Sequence, residues 1–260
     1  MPSELTERPA WWQWPTVLSF DAPAVAVAWQ ALFARSANAS LHAHHVLLLA
    51  AATWLVYAAD RWMEGFDIDP ARVCTQRHRF YQRHRRAVAI AMVLVAISAL
   101  VVACARLTAT EWRWSLALTG PVAGYLVVGP LLRRLAPWRL PKEFFIAVLF
   151  ACGAACFPLA AAEHTRWLLA WPIAWFSALC LVNLALIARW ERAVDVAQGH
   201  ASLALIHSGV NRWIRFAPWL LALGSGLSAI RSWGGAPPVT ACVAASALLM
   251  GVLDRAEPYS

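Results

Sequence analysis

Asp60 with Glu64, and Glu191 with Asp195, form two acidic pairs of the same four-residue spacing, each closing a long apolar stretch. Residues four apart share one face of a helix, so each pair can present two carboxylates side by side. Like charges at that spacing destabilise an isolated helix, and a positive partner is expected. Carboxylates at the edge of a membrane span are costly and are functional candidates by default. Two such pairs facing one cavity make a site for hard divalent cations. Mg2+, held by one or two carboxylates plus substrate phosphates, suits it best. The competing reading is a solvated helix end, where Arg61 and Arg192 neutralise their neighbours. Matched spacing in a chain with only 14 acidic residues favours a site.

Anion-binding candidates lie nearby. The run RHRFYQRHRR, residues 77–86, is the densest basic segment. It reads either as membrane-surface charge, worth about 1 kcal/mol per residue toward anionic lipid, or as a clamp on an anionic substrate, because Arg matches phosphate bidentately. Both readings hold together if Arg77 serves the substrate and Arg83–Arg86 face lipid. Lys142 is the only lysine among 22 basic residues and stands just before an apolar stretch, which suggests a phosphate contact. Asn183, eight residues before Glu191, either lines a cavity or hydrogen-bonds a neighbouring helix. His42, His44 and His45 offer haem or metal ligands, although hydration at a helix start is the commoner fate of such residues. The CGAAC segment, residues 152–156, reads as small packing residues rather than a disulfide or metal site.

The elements that must position these groups are membrane helices. Apolar residues make up 61% of the chain, charged residues 14%, and the mean hydropathy is +0.55. A soluble domain carries about a quarter charged residues. Residues 87–105, 114–132, 144–162, 167–188 and 233–253 contain no Asp, Glu, Lys or Arg and approach or match the roughly 20 residues that a bilayer span needs. Weaker candidates are 17–33, 41–59 and 216–230. The expectation is an all-α polytopic transmembrane bundle of about eight spans, forming a single domain over residues 1–260. Arginines concentrate in alternate connections, at 72–86, at 133–142 with Lys142, and at 189–215. These loops are expected to be cytoplasmic, together with both termini and both acidic pairs. The net charge of +8 is then a property of loops and implies no nucleic-acid partner. Trp11, Trp12 and Trp14 suggest an interfacial anchor, and no cleaved signal peptide is expected.

In this order and topology, the chain resembles the UbiA-type intramembrane prenyltransferases, the group that includes 4-hydroxybenzoate polyprenyltransferase. Their first aspartate-rich motif, NDxxDxxxD, is matched by VYAADRWME, residues 56–64. Their second, DxxDxxxD, is matched by ARWERAVD, residues 188–195. The family's lysine before span five corresponds to Lys142, followed by FFIAVLFACG. The resemblance runs from about span two through span seven. Val56 and Tyr57 replace the opening Asn and Asp of the first motif. Ala188 replaces the first Asp of the second, and Glu stands for Asp at 64 and 191. The family has nine spans where eight are counted here.

The resemblance implies an integral membrane enzyme, in the inner membrane if bacterial. It would transfer a prenyl group from a prenyl diphosphate to an aromatic or lipid-like acceptor. Asp60, Glu64, Glu191 and Asp195 would hold Mg2+ against the diphosphate, with Arg61, Arg77 and Lys142 adding positive charge at the leaving group. Tyr57 and Asn183 would line the substrate cavity. A terpene cyclase, in which the same ionisation ends in ring closure, and a non-catalytic protein that keeps the fold remain alternatives.

Overall fold

The computed structural model describes residues 9–67, 75–135, 142–162, 164, 166–190, 213–231 and 238–256. Among these residues there is no strand. After a 3-10 turn at Trp11–Gln13 come α1 (Trp14–Val17), α2 (Asp21–Ser36), α3 (Ala43–Asp67), α4 (Gln76–Arg83) and α5 (Arg85–Arg106). They are followed by α6 (Ala109–Leu135), α7 (Lys142–Ala161), α8 (Ala170–Trp190), α9 (Ala217–Arg231) and α10 (Pro238–Ala256). A 3-10 turn at Arg166–Leu169 leads into α8.

Among the described residues, five segments are long and apolar enough to cross a membrane: Ala43–Met63, Arg85–Arg106, Glu143–Ala161, Arg166–Trp190 and Pro238–Ala256. A sixth would be the pair Trp11–Val17 and Asp21–Ser36, which is bent by 78°. The stretch 114–132 lies within the 27-residue α6. The stretch 216–230 corresponds to α9, whose 15 residues rise only about 22 Å, against a hydrocarbon core of about 30 Å. The membrane character is plainest on α5, where Ile90, Val93, Leu94, Ile97, Leu100 and Val101 are all exposed. An apolar face of that extent is stable only against lipid or another apolar surface.

The expected first span at 17–33 is not one continuous helix. The chain turns at Ser19, whose backbone is left-handed at φ 59°. Non-glycine residues avoid that region, so outside contacts must hold it. Trp54 Nε1 donates to the Leu18 carbonyl at 3.0 Å, and the Tyr81 hydroxyl donates to Ser19 Oγ at 3.1 Å.

The helices group into two compact units. The first takes α1, the part of α2 up to Ala28, and α3, α4 and α5. Its small core is Ala58, Tyr81 and Val88, covered by Trp54, Trp62, Phe80 and Met92. The second takes α2 from Trp29 onward with α6, α7, α8, α9 and α10. There Phe176 stacks on Trp29 with ring centroids 4.0 Å apart and meets Phe33 edge-on at 5.7 Å. α7 contributes Ala147, Ala151, Ala154 and Ala155, a buried stripe of small residues that lets neighbouring helices approach closely. Close approach also dictates two glycines. A Cβ on Gly224 would lie 2.8 Å from the Trp175 ring, and one on Gly251 would lie 2.7 Å from the Trp219 ring.

Candidate functional site

In the first unit, the acidic pair rides on the C-terminal turns of an unbroken α3. Tyr57, Asp60 and Glu64 follow the i, i+3, i+7 pattern and fall on one stripe of that helix. Tyr57, Asp60 and Arg61 are half-buried. The last carbonyls of a helix have no partner within it and need outside donors. The Gly65 carbonyl finds two, Gln82 Nε2 at 3.3 Å and the Arg85 guanidinium. Arg85 also lies over the Phe66 ring, 4.0 Å from its centroid, while its carbonyl accepts from Trp62 Nε1 at 3.2 Å. Arg85 is therefore not one of the lipid-facing arginines expected at 83–86. It locks the end of the helix that carries Asp60 and Glu64, whereas Arg83 and Arg86 are exposed.

Arg77 is the second residue of α4. That short helix starts at Thr75, whose hydroxyl accepts from the His78 N–H at 3.3 Å. Threonine is a preferred residue there, because it satisfies a donor that the helix cannot. Two turns of helix then bury Tyr81, which is 2% exposed. Burial raises the Tyr81 pKa, and the bond to Ser19 works against that rise. The charges of Arg61 and Arg77 also oppose it, while Asp21 adds to it. Two of the predicted anion-binding residues thus act on one buried hydroxyl. Tyr81 itself was not among the predicted site residues. Its signal was its place as the sole hydroxyl-bearing residue in the basic run 77–86.

In the second unit, Lys142 is the first residue of α7, and Asn183 is half-buried within α8. Glu191 and Asp195 lie outside the described residues. The last turn of α8 is held by Asp254. Arg189 Nη1 donates to both oxygens of Asp254, at 2.9 and 3.0 Å, and Trp190 Nε1 donates to Asp254 Oδ1 at 3.1 Å. α8 and α10 therefore end at one level, and the C-terminal turn of α8 is pinned to α10. Asp254 is a third carboxylate closing an apolar stretch, and that same pattern could have drawn attention to it.

Carboxylate oxygens suit a hard divalent cation, and guanidiniums suit a phosphate-like anion. Compared with known proteins, the chain matches no family model, no curated protein and no solved structure.

Proposed function

We propose that the chain is an integral membrane enzyme that uses a prenyl diphosphate and Mg2+ to prenylate an aromatic or lipid-like acceptor. The reading follows the UbiA-type resemblance, with about eight spans and the acidic pairs on the cytoplasmic side. The observation that carries it is the Asp60–Glu64 pair one helical turn apart at the end of an apolar span, with Arg61 and Arg77 acting on the neighbouring Tyr81.

The residues fit the metal by chemistry. Mg2+ takes oxygen ligands, and an unbroken α3 keeps Asp60 and Glu64 within one turn of each other. The reading assigns Glu191 and Asp195 to the same task. When bound, Mg2+ would neutralise charge on the diphosphate. The protein's own part is electrostatic. Arg61, Arg77 and Lys142 hold the diphosphate and stabilise the negative charge that grows as it leaves. Tyr57 and Asn183 shape the cavity, and the apolar bundle excludes the water that would otherwise intercept the allylic cation.

The test is incubation of purified protein with prenyl diphosphates of graded length and Mg2+, with and without aromatic and lipid acceptors, followed by product analysis. Pyrophosphate release that depends on acceptor is expected. Release with cyclic hydrocarbon and no acceptor would identify a cyclase. No release with any donor would overturn the catalytic reading.

A further inference from the structure

The short helix α4 stands where two apolar segments end. The membrane-length segment on α3 stops at Met63, and the one on α5 starts at Arg85. Gln82 ties α4 to the first, with Nε2 donating to the Gly65 carbonyl at 3.3 Å, and a single residue, His84, separates α4 from the second. The helix therefore lies at the level where apolar chain gives way to water. We propose that its exposed face, with Trp11 and Trp12 beside it, is a docking surface for anionic phospholipid headgroups.

The face of the helix, rather than position along the basic run, sorts the arginines. His78 and Tyr81 point inward and are 4% and 2% exposed. Arg77, four residues before Tyr81, shares that side and is half-buried. Arg79 and Arg83, also four apart, share the opposite side, and both are exposed. Arg79 thus joins Arg83 in the lipid-facing set that the sequence placed at 83–86. Like charges at that spacing repel, and an anion between them offsets the repulsion. A guanidinium matches phosphate oxygens bidentately, so a lipid phosphate suits this pair.

The tryptophans set the depth. The Trp14 ring meets Phe80 of α4 edge-on, with centroids 6.2 Å apart, which holds the N-terminal turn against the basic helix. Trp11 and Trp12 in that turn are 85% and 64% exposed. Indole rings favour the headgroup level of a bilayer, where one edge is apolar and the other wet. Two residues beyond Arg83, α5 begins, and Ile90, Val93 and Ile97 lie exposed along one of its faces. The basic face is therefore continuous in the chain with an apolar stripe that suits acyl chains. That continuity, together with the charge, selects a bilayer lipid over a soluble anion. The assignment does not rest on the prenyl-diphosphate reading, which draws on Arg61 and Arg77.

The experiment titrates the detergent-purified chain with dioleoylphosphatidylglycerol or dioleoylphosphatidylcholine and counts bound lipid by native mass spectrometry. Tighter binding of phosphatidylglycerol is expected. Arg79→Gln and Arg83→Gln should each weaken it about fivefold and leave phosphatidylcholine binding unchanged. Trp12→Ala should weaken both lipids alike, because an indole senses depth and not charge. Arg106→Gln is the control. That arginine is exposed at the far end of α5, roughly 30 Å along the helix, and its loss should leave the preference intact. Unaltered melting temperatures in lipid-free detergent certify the fold of each variant. Equal affinity for the two lipids, a wild-type preference in the Arg79→Gln/Arg83→Gln double variant, or an equal loss in Arg106→Gln would overturn the surface. Release of phosphatidylglycerol by millimolar inorganic phosphate would overturn it too, in favour of a soluble-anion site. None of these outcomes bears on the diphosphate reading.

Discussion

Tyr81 gives its buried hydroxyl proton to Ser19 Oγ across 3.1 Å, and Ser19 carries the left-handed backbone of the 78° bend ahead of α2. One side chain from the short α4 thereby stabilises a conformation that a serine would otherwise avoid, and does so beside Arg61 and Arg77.

Tyr81→Phe removes the donor and leaves the Ser19 hydroxyl without that partner. A buried hydrogen bond contributes about 0.5–1.5 kcal/mol, so a modest fall in melting temperature is expected at neutral pH. The pH dependence is more telling. Burial raises the Tyr81 pKa above its ordinary value of 10.0 in the folded chain. The neutral phenol is favoured by folding, so its contribution is complete below pH 10 and is lost as pH rises through the folded pKa, because the unfolded chain loses its proton first. Wild-type stability should therefore fall more steeply above pH 10 than that of Tyr81→Phe. Parallel alkaline melting curves for the two proteins would show that the phenol does not titrate differently on folding.

Arg189 and Asp254 supply a second test. Their side chains are 10% and 3% exposed, so removing one partner leaves an almost fully buried charge. Breaking a buried pair typically costs about 3–5 kcal/mol, whereas replacing both partners by apolar residues is often close to neutral. Asp254→Leu and Arg189→Met should each destabilise strongly in detergent, and the double variant should recover most of the loss. Additive losses in that cycle would show that the pair is not coupled.

These contacts also mark how far the sequence could be read. Apolar runs announce α3, α5, α7, α8 and α10, because an uninterrupted stretch of that length has few other fates. The bend at Ser19 has no glycine or proline at its centre and is held by Trp54 and Tyr81, 35 and 62 residues away. Arg85 and Arg86 are equivalent by composition, and only the Gly65 carbonyl and the Phe66 ring distinguish them. Asp254 finds its partner 65 residues back in the chain. Local periodicity carries no record of such pairings, whereas the Asp60–Glu64 spacing is local and was legible at once.

Gly251 is predicted to tolerate no side chain. Its Cβ would meet the Trp219 ring at 2.7 Å, and that ring lies 4.4 Å beneath the Arg255 guanidinium. Overpacking costs about 1–3 kcal/mol, so Gly251→Ala should lower the melting temperature. Gly120, with nothing near the place of its Cβ, is the control, and Gly120→Ala should be neutral or slightly stabilising. Equal behaviour of the two variants would contradict the close approach of Trp219.

Asp60→Asn tests the metal-bridged reading on the first unit. The amide keeps the volume and removes the charge, so the fold should persist while Mg2+-dependent binding of a prenyl diphosphate weakens at least tenfold. Isothermal titration in Mg2+ and in EDTA separates the two contributions. Wild-type binding that is unchanged by EDTA would remove the metal from the proposal.

Lys142 gives the sharpest comparison. It is the only lysine and the first residue of α7, and the proposed function assigns it to the diphosphate. Lys142→Met keeps most of the aliphatic stem and deletes the ammonium. A hydrogen bond to a charged group is worth roughly 1.5–3 kcal/mol, so diphosphate affinity should fall about tenfold to a hundredfold. The control must be an arginine that holds nothing else in place. Arg85 does not qualify, because its guanidinium secures Gly65 and Phe66 at the end of the helix that bears Asp60. Arg86, one residue on, is exposed. A large loss for Lys142→Met against little change for Arg86→Met would assign the lysine to the diphosphate. Equal, small losses would remove the lysine from the proposed diphosphate site and leave it one more positive charge among 21 arginines.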